Sequence, residues 1–236
     1  MLRSVPRFVW PLVLLLMLLK LALQLSLNPG LEWNYDERRN GRIADNYLAG
    51  RGYVSLDPVR QQLRPDSFHA SFPVFVYIGW QKAGLPKHHF TLLIFGLSLL
   101  AYGLGILYLQ RTLAFLGVPP PWAWAGALLW AVYPSVLYYV GAYMWYENLT
   151  LPLLILVVYK LLRHLGGRPL AWPDAALLAG SITVSCLLRG YLLAVYGLLF
   201  VVWLGLVWRQ RVAPAPAWRA AILTFVLLTA AHAPFC

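Results

Sequence analysis

Long apolar runs that carry almost no charge constrain this chain more than any other feature. Residues 122–159 hold a single charged side chain, Glu147, and residues 175–208 hold only Arg189. As one helix the first run would extend for about 57 Å, whereas the hydrocarbon core of a bilayer is about 30 Å thick. Each run is therefore predicted to cross a membrane twice, with a break at its charged residue.

Composition places the chain in the membrane class. Hydrophobic residues make up 61% of it and charged residues 11%, whereas a soluble domain carries roughly a quarter charged residues. The net charge of +11 comes mostly from basic residues that flank the apolar runs, and they form no dense nucleic-acid-binding stripe. His69, His88 and His89 lie in a proline-aromatic stretch and a short loop, which does not resemble a metal site. We therefore predict an integral membrane protein in contact with lipids, with no nucleic-acid partner, metal or cofactor.

The run lengths predict an all-α, polytopic bundle of about six or seven transmembrane helices. Residues 8–27 follow two arginines, but they lack a small-residue cleavage site and are long enough to be a first span. Residues 70–80 would extend only about 16 Å as a helix and are expected to be interfacial or re-entrant. The predicted spans cover residues 8–27, 90–109, 122–140, 148–163 and the two halves of 175–208, and a seventh apolar run starts at residue 218.

The basic residues also predict the orientation of the bundle. A cytoplasmic N-terminus gives the inner loops most of the Lys and Arg, as the positive-inside bias requires. Residues 28–69 then form an outer loop with six arginines, no lysine and six of the eight acidic residues. Outer arginines are explained either by internal ion pairing or by an anionic ligand such as phosphate. For a bacterial source, the expected location is the inner membrane.

Within the outer loop, the sequence predicts a short amphipathic helix that starts after Asn34 and stops before Gly50. Its apolar residues, within 43–48, are expected to lie on the membrane surface. Glu37 can complete a capping box, whereas Asp36 is not needed for the cap. An ionised carboxylate in a first helical turn would suit a base that takes a proton from an acceptor hydroxyl. The alternative is a solvated face of acids and arginines.

Several short stretches occur in a characteristic order along nearly the whole chain. They begin after the first predicted span and end where the later apolar run is expected to break. In chain order they are Asp36-Glu37, Leu-Ala-Gly-Arg-Gly-Tyr at residues 48–53, Ser-Phe-Pro at 71–73, Tyr-Pro-Ser-Val-Leu-Tyr-Tyr at 133–139, Glu147, and Leu-Leu-Arg-Gly-Tyr at 187–191.

This order resembles the N-terminal half of the polyprenyl-phosphate-sugar-dependent glycosyltransferases of the C superfamily, which include protein O-mannosyltransferases and lipid A aminoarabinose transferases. The resemblance implies transfer of a sugar from a lipid-phosphate donor to a protein, lipid or glycan outside the cytoplasm. It implies an inverting displacement with Asp36 as the base and Glu37 as its partner. The family's acidic residue and arginine at later span boundaries correspond to Glu147 and Arg189. The substrate-binding candidates are Arg38, Arg39, Arg42, Tyr53, Arg64, His69, Glu147 and Arg189.

Members of that family are usually longer, with more spans and often an outer C-terminal domain. We therefore interpret residues 1–236 as one glycosyltransferase-like domain that is truncated at its C-terminus. Two other classes stay open on the residues alone. A transporter of lipid-linked substrates would need a polar path across the spans and internal repeats. A non-catalytic membrane scaffold would need neither.

Overall fold

The structure is a computed structural model that describes residues 9–30, 35–57, 60–65, 71–134, 136–137, 146–168 and 170–210. Within these ranges the chain forms eight helices and one two-stranded antiparallel sheet, so the all-α prediction is confirmed apart from that sheet. The elements are α1 (Val9–Leu27), α2 (Tyr35–Leu48), β1 (Val54–Leu56), β2 (Leu63–Pro65), α3 (Ser71–Lys82), α4 (Lys87–Phe115), α5 (Pro120–Val132), α6 (Tyr146–Leu165), α7 (Trp172–Leu188) and α8 (Leu192–Gln210).

Three of the described helices are long and apolar enough to cross a membrane, namely α1, α4 and most of α8. The first agrees with the predicted span 8–27, whereas α4 has 29 residues and extends beyond the predicted 90–109 at both ends. Pro86 fixes its own φ and precedes α4, and Gly117 follows it with a positive φ of 87°. α7 is a shorter apolar helix.

The later apolar run breaks at the predicted residue. α7 ends at Leu188 and α8 begins at Leu192, with Arg189 in an extended conformation at the end of α7. The Arg189 N–H still donates to the Ser185 carbonyl at 2.9 Å. The Tyr196 hydroxyl of α8 donates to Ser185 Oγ at 3.0 Å, which ties the two helices together beside the break.

The earlier apolar run breaks elsewhere. The prediction of one helix over 122–140 is wrong, because α5 ends at Val132. Pro134 has no N–H to donate and disfavours helical geometry at the residue before it, and Tyr133 accordingly has a ψ of 129°. Glu147, the predicted turn, instead lies in the first turn of α6. A single proline therefore outweighs the charged residue in setting where this helix stops.

Side chains from two other helices satisfy backbone carbonyls around the end of α5. Lys20 of α1 is buried and donates from Nζ to the Val136 carbonyl at 2.9 Å. The hydroxyl of Tyr102 in α4 donates to the Ala131 carbonyl at 2.9 Å, and Lys20 Nζ lies 4.5 Å from the centre of the Tyr102 ring. The last carbonyls of a helix have no partner within it, and leaving them unpaired in an apolar interior is costly. These bonds therefore connect α1, α4 and α5.

α4 and α6 pack side by side and run in the same direction. A Cβ placed on Gly105 would lie 3.4 Å from Cβ of Pro152, and the rings of Tyr108 and Tyr159 are 5.4 Å apart. Residues later in α4 thus contact residues later in α6, which shows that the two helices are parallel. Glycine permits the close approach, because the same Cβ would lie only 2.9 Å from a ring carbon of Trp130.

Between α2 and α3 the chain forms a β-hairpin that the sequence analysis did not predict. Its strands pair antiparallel, with Val54 opposite Pro65 and Leu56 opposite Leu63. Gln61, in the connection, has a positive φ of 52°, and its N–H donates to the Asp57 carbonyl. The described residues between α1 and α3 therefore form a helix and a hairpin that pack together.

Gly105→Val should destabilise the bundle, because a branched side chain has no room between α4, Trp130 and α6. Overpacking of this kind costs roughly 1–3 kcal/mol. Gly96→Val is the matched control on the same helix, since a Cβ at Gly96 meets no atom within 4 Å. Thermal unfolding in detergent, followed by tryptophan fluorescence, measures the difference. Equal midpoints for the two variants would contradict close packing at Gly105.

Candidate functional site

The predicted outer helix is present as α2, and protein covers the core of its apolar face. Ile43 and Ala44 are fully buried in a cluster with residues of α3. Tyr47 and Leu48 remain 39% and 40% exposed. Gly50 follows with a φ of 74°, which agrees with the predicted stop. The expectation that the whole apolar face lies on the membrane surface is not confirmed, because α3 supplies the apolar partner for Ile43 and Ala44.

Polar contacts hold α2 against both of its neighbours. Asn46 Nδ2 donates to the Val54 carbonyl of β1 at 3.2 Å, and Gln81 Nε2 of α3 donates to Asp45 Oδ1 at 3.2 Å. Burial raises the pKa of Tyr77; its hydrogen bond with Gln81 opposes this, and the charge of Asp45 adds to it. The helix is therefore positioned from two sides as well as by its buried face.

The arginines of α2 differ in their surroundings. Arg38 and Arg42 lie one helical turn apart and are exposed. Arg39 is half-buried, and its guanidinium donates to Ser55 Oγ of β1 at 3.5 Å. Two guanidinium groups on one exposed face can bind an anion through paired hydrogen bonds. Arg38 and Arg42 thus fit the substrate-binding prediction better than Arg39, which joins α2 to the hairpin.

Arg64 has a structural partner within the hairpin. Its Nε lies 3.5 Å from Asp57 Oδ2, and Asp57 Oδ1 also accepts the Arg60 N–H at 3.1 Å. Of the two explanations for outer arginines, internal ion pairing applies here. The substrate-binding prediction for Arg64 has no support from its contacts.

An aromatic group surrounds Tyr53, another predicted substrate-binding residue. The Tyr53 ring is stacked on Phe75 of α3 with centres 5.7 Å apart, and Tyr47 meets Phe75 edge-on at 5.3 Å. Sequence reasoning missed Phe75 as a member of this group. The only signal was the proline-aromatic stretch at 71–73, which ends two residues earlier.

The predicted carboxylates lie at helix N-termini. Asp36 and Glu37 are in the first turn of α2, and Glu147 is in the first turn of α6. Only the backbone of these three residues is described. His69 lies outside the described residues. The helix dipole favours negative charge at each of these N-termini, so the backbone suits ionised side chains there.

One apolar cluster brings three of the predicted segments to the same end of the bundle. Leu188, the residue before Arg189, belongs to the buried cluster that contains Ile43 and Ala44 of α2. Leu149, in the first two turns of α6, packs against it. The half-buried Arg189, the second half of α2 and the start of α6 are therefore grouped around one cluster, although they are far apart in sequence.

Comparisons with protein families, curated proteins and solved structures found no match for this chain. The case for a function therefore depends on the residues that the fold brings together. Among the residues that the structure describes, no three His, Cys, Asp or Glu side chains are grouped to hold a metal ion. What the arrangement offers is carboxylates for proton transfer and guanidinium groups for binding anions.

Ile43→Ala should loosen the docking of α2 and leave the long helices intact. Removing a fully buried isoleucine side chain costs roughly 2–5 kcal/mol when the cavity cannot collapse. Hydrogen–deuterium exchange should therefore accelerate in α2 and the hairpin, with little change in α4. Leu48→Ala, on the same helix but 40% exposed, is the control and should change exchange little. The same acceleration in both variants would contradict the docking through Ile43.

Proposed function

We propose that this chain is a membrane glycosyltransferase that moves a sugar from a polyprenyl-phosphate donor to an acceptor outside the cytoplasm. The observation that carries the proposal is the convergence of α2, the start of α6 and the end of α7 around one apolar cluster, which α2 meets through Ile43 and Ala44. These segments hold Asp36, Glu147 and Arg189. Ligand sites are common between the helices of a bundle, which supports a site where the segments that hold these residues meet.

The opposite end of the bundle supports a cytoplasmic N-terminus. α1 and α4 are antiparallel, since Val13 lies beside Gly103 and Leu21 packs with the cluster that contains Phe95. The start of α1 therefore lies at the end where α4, α6 and α8 finish. Under the positive-inside bias this end faces the cytoplasm and α2 lies outside. The proposal keeps about six or seven spans in the inner membrane, of which α1, α4 and α8 are long and apolar enough to cross. The basic residues at this end are Arg111, Lys160, Arg163, Arg168 and Arg209.

The proposed reaction is an inverting displacement. The acceptor hydroxyl oxygen attacks the anomeric carbon of the sugar while Asp36 takes its proton, and the bond from that carbon to the phosphate oxygen breaks. The polyprenyl phosphate leaves with the bonding electrons. Arg189, with Arg38 and Arg42, stabilises the charge that develops on the phosphate. Tyr53 offers an aromatic face for the sugar.

A transporter of lipid-linked substrates is the second candidate, and a buried polar face of α1 favours it. Lys20 and Gln24 lie one turn apart, and both are buried. Gln24 Nε2 has no hydrogen-bond partner among the described residues. Polar side chains buried inside a membrane bundle often mark a substrate path. A transporter would move the lipid-linked sugar across the membrane without breaking the bond between sugar and phosphate. A non-catalytic scaffold would also leave that bond intact.

Asp36→Asn should abolish sugar transfer, because an amide cannot take the proton of the acceptor. Removing a general base lowers rates by roughly 10²–10⁴-fold. The assay uses purified protein in liposomes with a radiolabelled polyprenyl-phosphate sugar and measures release of label from the lipid. Asp45→Asn is the matched control on the same helix, because its amide oxygen can still accept from Gln81.

Three results would decide between the candidates. Loss of label release in Asp36→Asn, with release unchanged in Asp45→Asn, supports the enzyme. Full activity in Asp36→Asn would remove this residue from the mechanism. Movement of intact labelled lipid across the membrane, without release by the wild-type protein, would favour the transporter.

Arg189→Gln should weaken donor binding and also lower kcat, because the guanidinium is proposed to hold the phosphate both before and during its departure. Loss of a charge-assisted hydrogen bond costs about 1.5–3 kcal/mol, which corresponds to a KM for the lipid donor raised roughly tenfold or more. Arg60→Gln is the control, since Arg60 is an exposed arginine in the hairpin connection. An unchanged donor KM in Arg189→Gln would exclude this guanidinium from the donor site.

A further inference from the structure

A polar pocket lies at the end of the bundle opposite α2. It is formed by the last two turns of α6, the turn that follows and the first turn of α7. None of its residues belongs to the proposed transfer site. The lining residues are Lys160, Arg163, His164, Arg168, Leu170 and Asp174.

The pocket carries an excess of positive charge. Lys160 pairs with Asp174, which neutralises one of the basic residues. The Arg163 guanidinium lies over the Tyr159 ring at 5.6 Å, and Arg168 is exposed. Within the described part of the chain, neither arginine has a carboxylate at ion-pair distance. Two guanidinium groups on one small pocket form a favourable site for a phosphate, which can accept paired hydrogen bonds from each.

A second observation comes from His164, which lines the same pocket. It is only 2% exposed, and Nδ1 lies 3.2 Å from the Arg168 carbonyl. Because a carbonyl can only accept, Nδ1 must be the donor in this bond. His164 Nε2 is buried and has no hydrogen-bond partner among the described residues. With Nδ1 as the donor, Nε2 is an acceptor, and because buried polar atoms are nearly always paired in folded proteins, it indicates a missing hydrogen-bond donor.

An aromatic and basic rim connects the pocket to the neighbouring helix end. The Arg111 guanidinium lies over Tyr108 at 5.6 Å, and Tyr108 lies 5.4 Å from Tyr159, which carries Arg163 on its ring. Tyrosine and arginine are enriched where a bundle meets lipid headgroups. The pocket therefore lies where α4, long enough to span a membrane, comes to its end.

We propose that this pocket binds the headgroup phosphate of an anionic membrane lipid. The Arg163 and Arg168 guanidinium groups hold the phosphate oxygens, and His164 Nε2 accepts a hydrogen bond from a hydroxyl of the headgroup. Lys160 remains paired with Asp174 and forms one wall. The site depends on the membrane location of the chain but not on sugar transfer, because it lies at the other end of the bundle.

The test measures which lipids the full chain retains. The protein is reconstituted in nanodiscs of phosphatidylcholine with phosphatidylglycerol as the minor component, released into detergent and weighed by native mass spectrometry. We expect the wild type to retain phosphatidylglycerol in preference to phosphatidylcholine. Arg163→Gln with Arg168→Gln should lower this retention, by about fivefold for each arginine removed. Arg209→Gln, an exposed basic residue at the same end but outside the pocket, should retain it as the wild type does.

A parallel measurement separates lipid phosphate from free phosphate. Thermal unfolding of lipid-free protein in detergent is compared in sodium phosphate and in sodium chloride of equal ionic strength. Stabilisation by phosphate without retention of phosphatidylglycerol would identify a soluble anion and overturn the proposal. Equal retention by the double variant and the wild type, or no preference over phosphatidylcholine, would overturn it as well. Sugar-transfer activity is measured on the same samples, so failure of the lipid site is distinguished from failure of the proposed enzyme.

Discussion

The need to pair backbone carbonyls inside an apolar bundle shapes this structure more than any other interaction. Pro134 stops α5 early, and the carbonyls of Ala131 and Val136 beside it accept from the Tyr102 hydroxyl and the Lys20 ammonium group. In water these carbonyls would be solvated, but in a membrane only the protein can pair them. The break is therefore stable only where α1 and α4 supply donors, and this places three helices around one point.

The two ends of the bundle are held together by different kinds of interaction. At the end that holds α2, a continuous apolar cluster joins Ile43 and Leu188 to Leu149, and polar residues surround it. At the other end, short turns join the helices, and basic side chains lie over aromatic rings. An apolar cluster that includes Phe90, Ile94 and Phe95 of α4 lets α2 and α3 pack against the end of the bundle.

What the sequence could predict was local, and what it missed depends on tertiary contacts. The positions of α2 and of the break at Arg189 follow from caps, glycines and a charge in an apolar run. For α5, the charge at Glu147 predicts a later end than the structure shows, because a proline ends the helix first. In the candidate site, the sequence indicated arginines around α2 but not that Arg64 pairs across the hairpin with Asp57. That pairing depends on the register of the two strands. Strands of three residues are too short for alternating apolar and polar side chains to specify a register.

Helix dipoles explain why the charges of the candidate site are arranged as they are. Asp36 and Glu147 lie at helix N-termini, where the dipole stabilises negative charge, and Arg189 follows a helix C-terminus, where it stabilises positive charge. Opposite charges can therefore be neighbours at this end while each is stabilised by its own backbone. The same fields would stabilise these residues in a scaffold, so charge placement alone does not imply catalysis. Asp36 precedes the buried Asn40 by one helical turn and Ile43 by two, so its backbone lies at the end of the face of α2 that meets the apolar cluster.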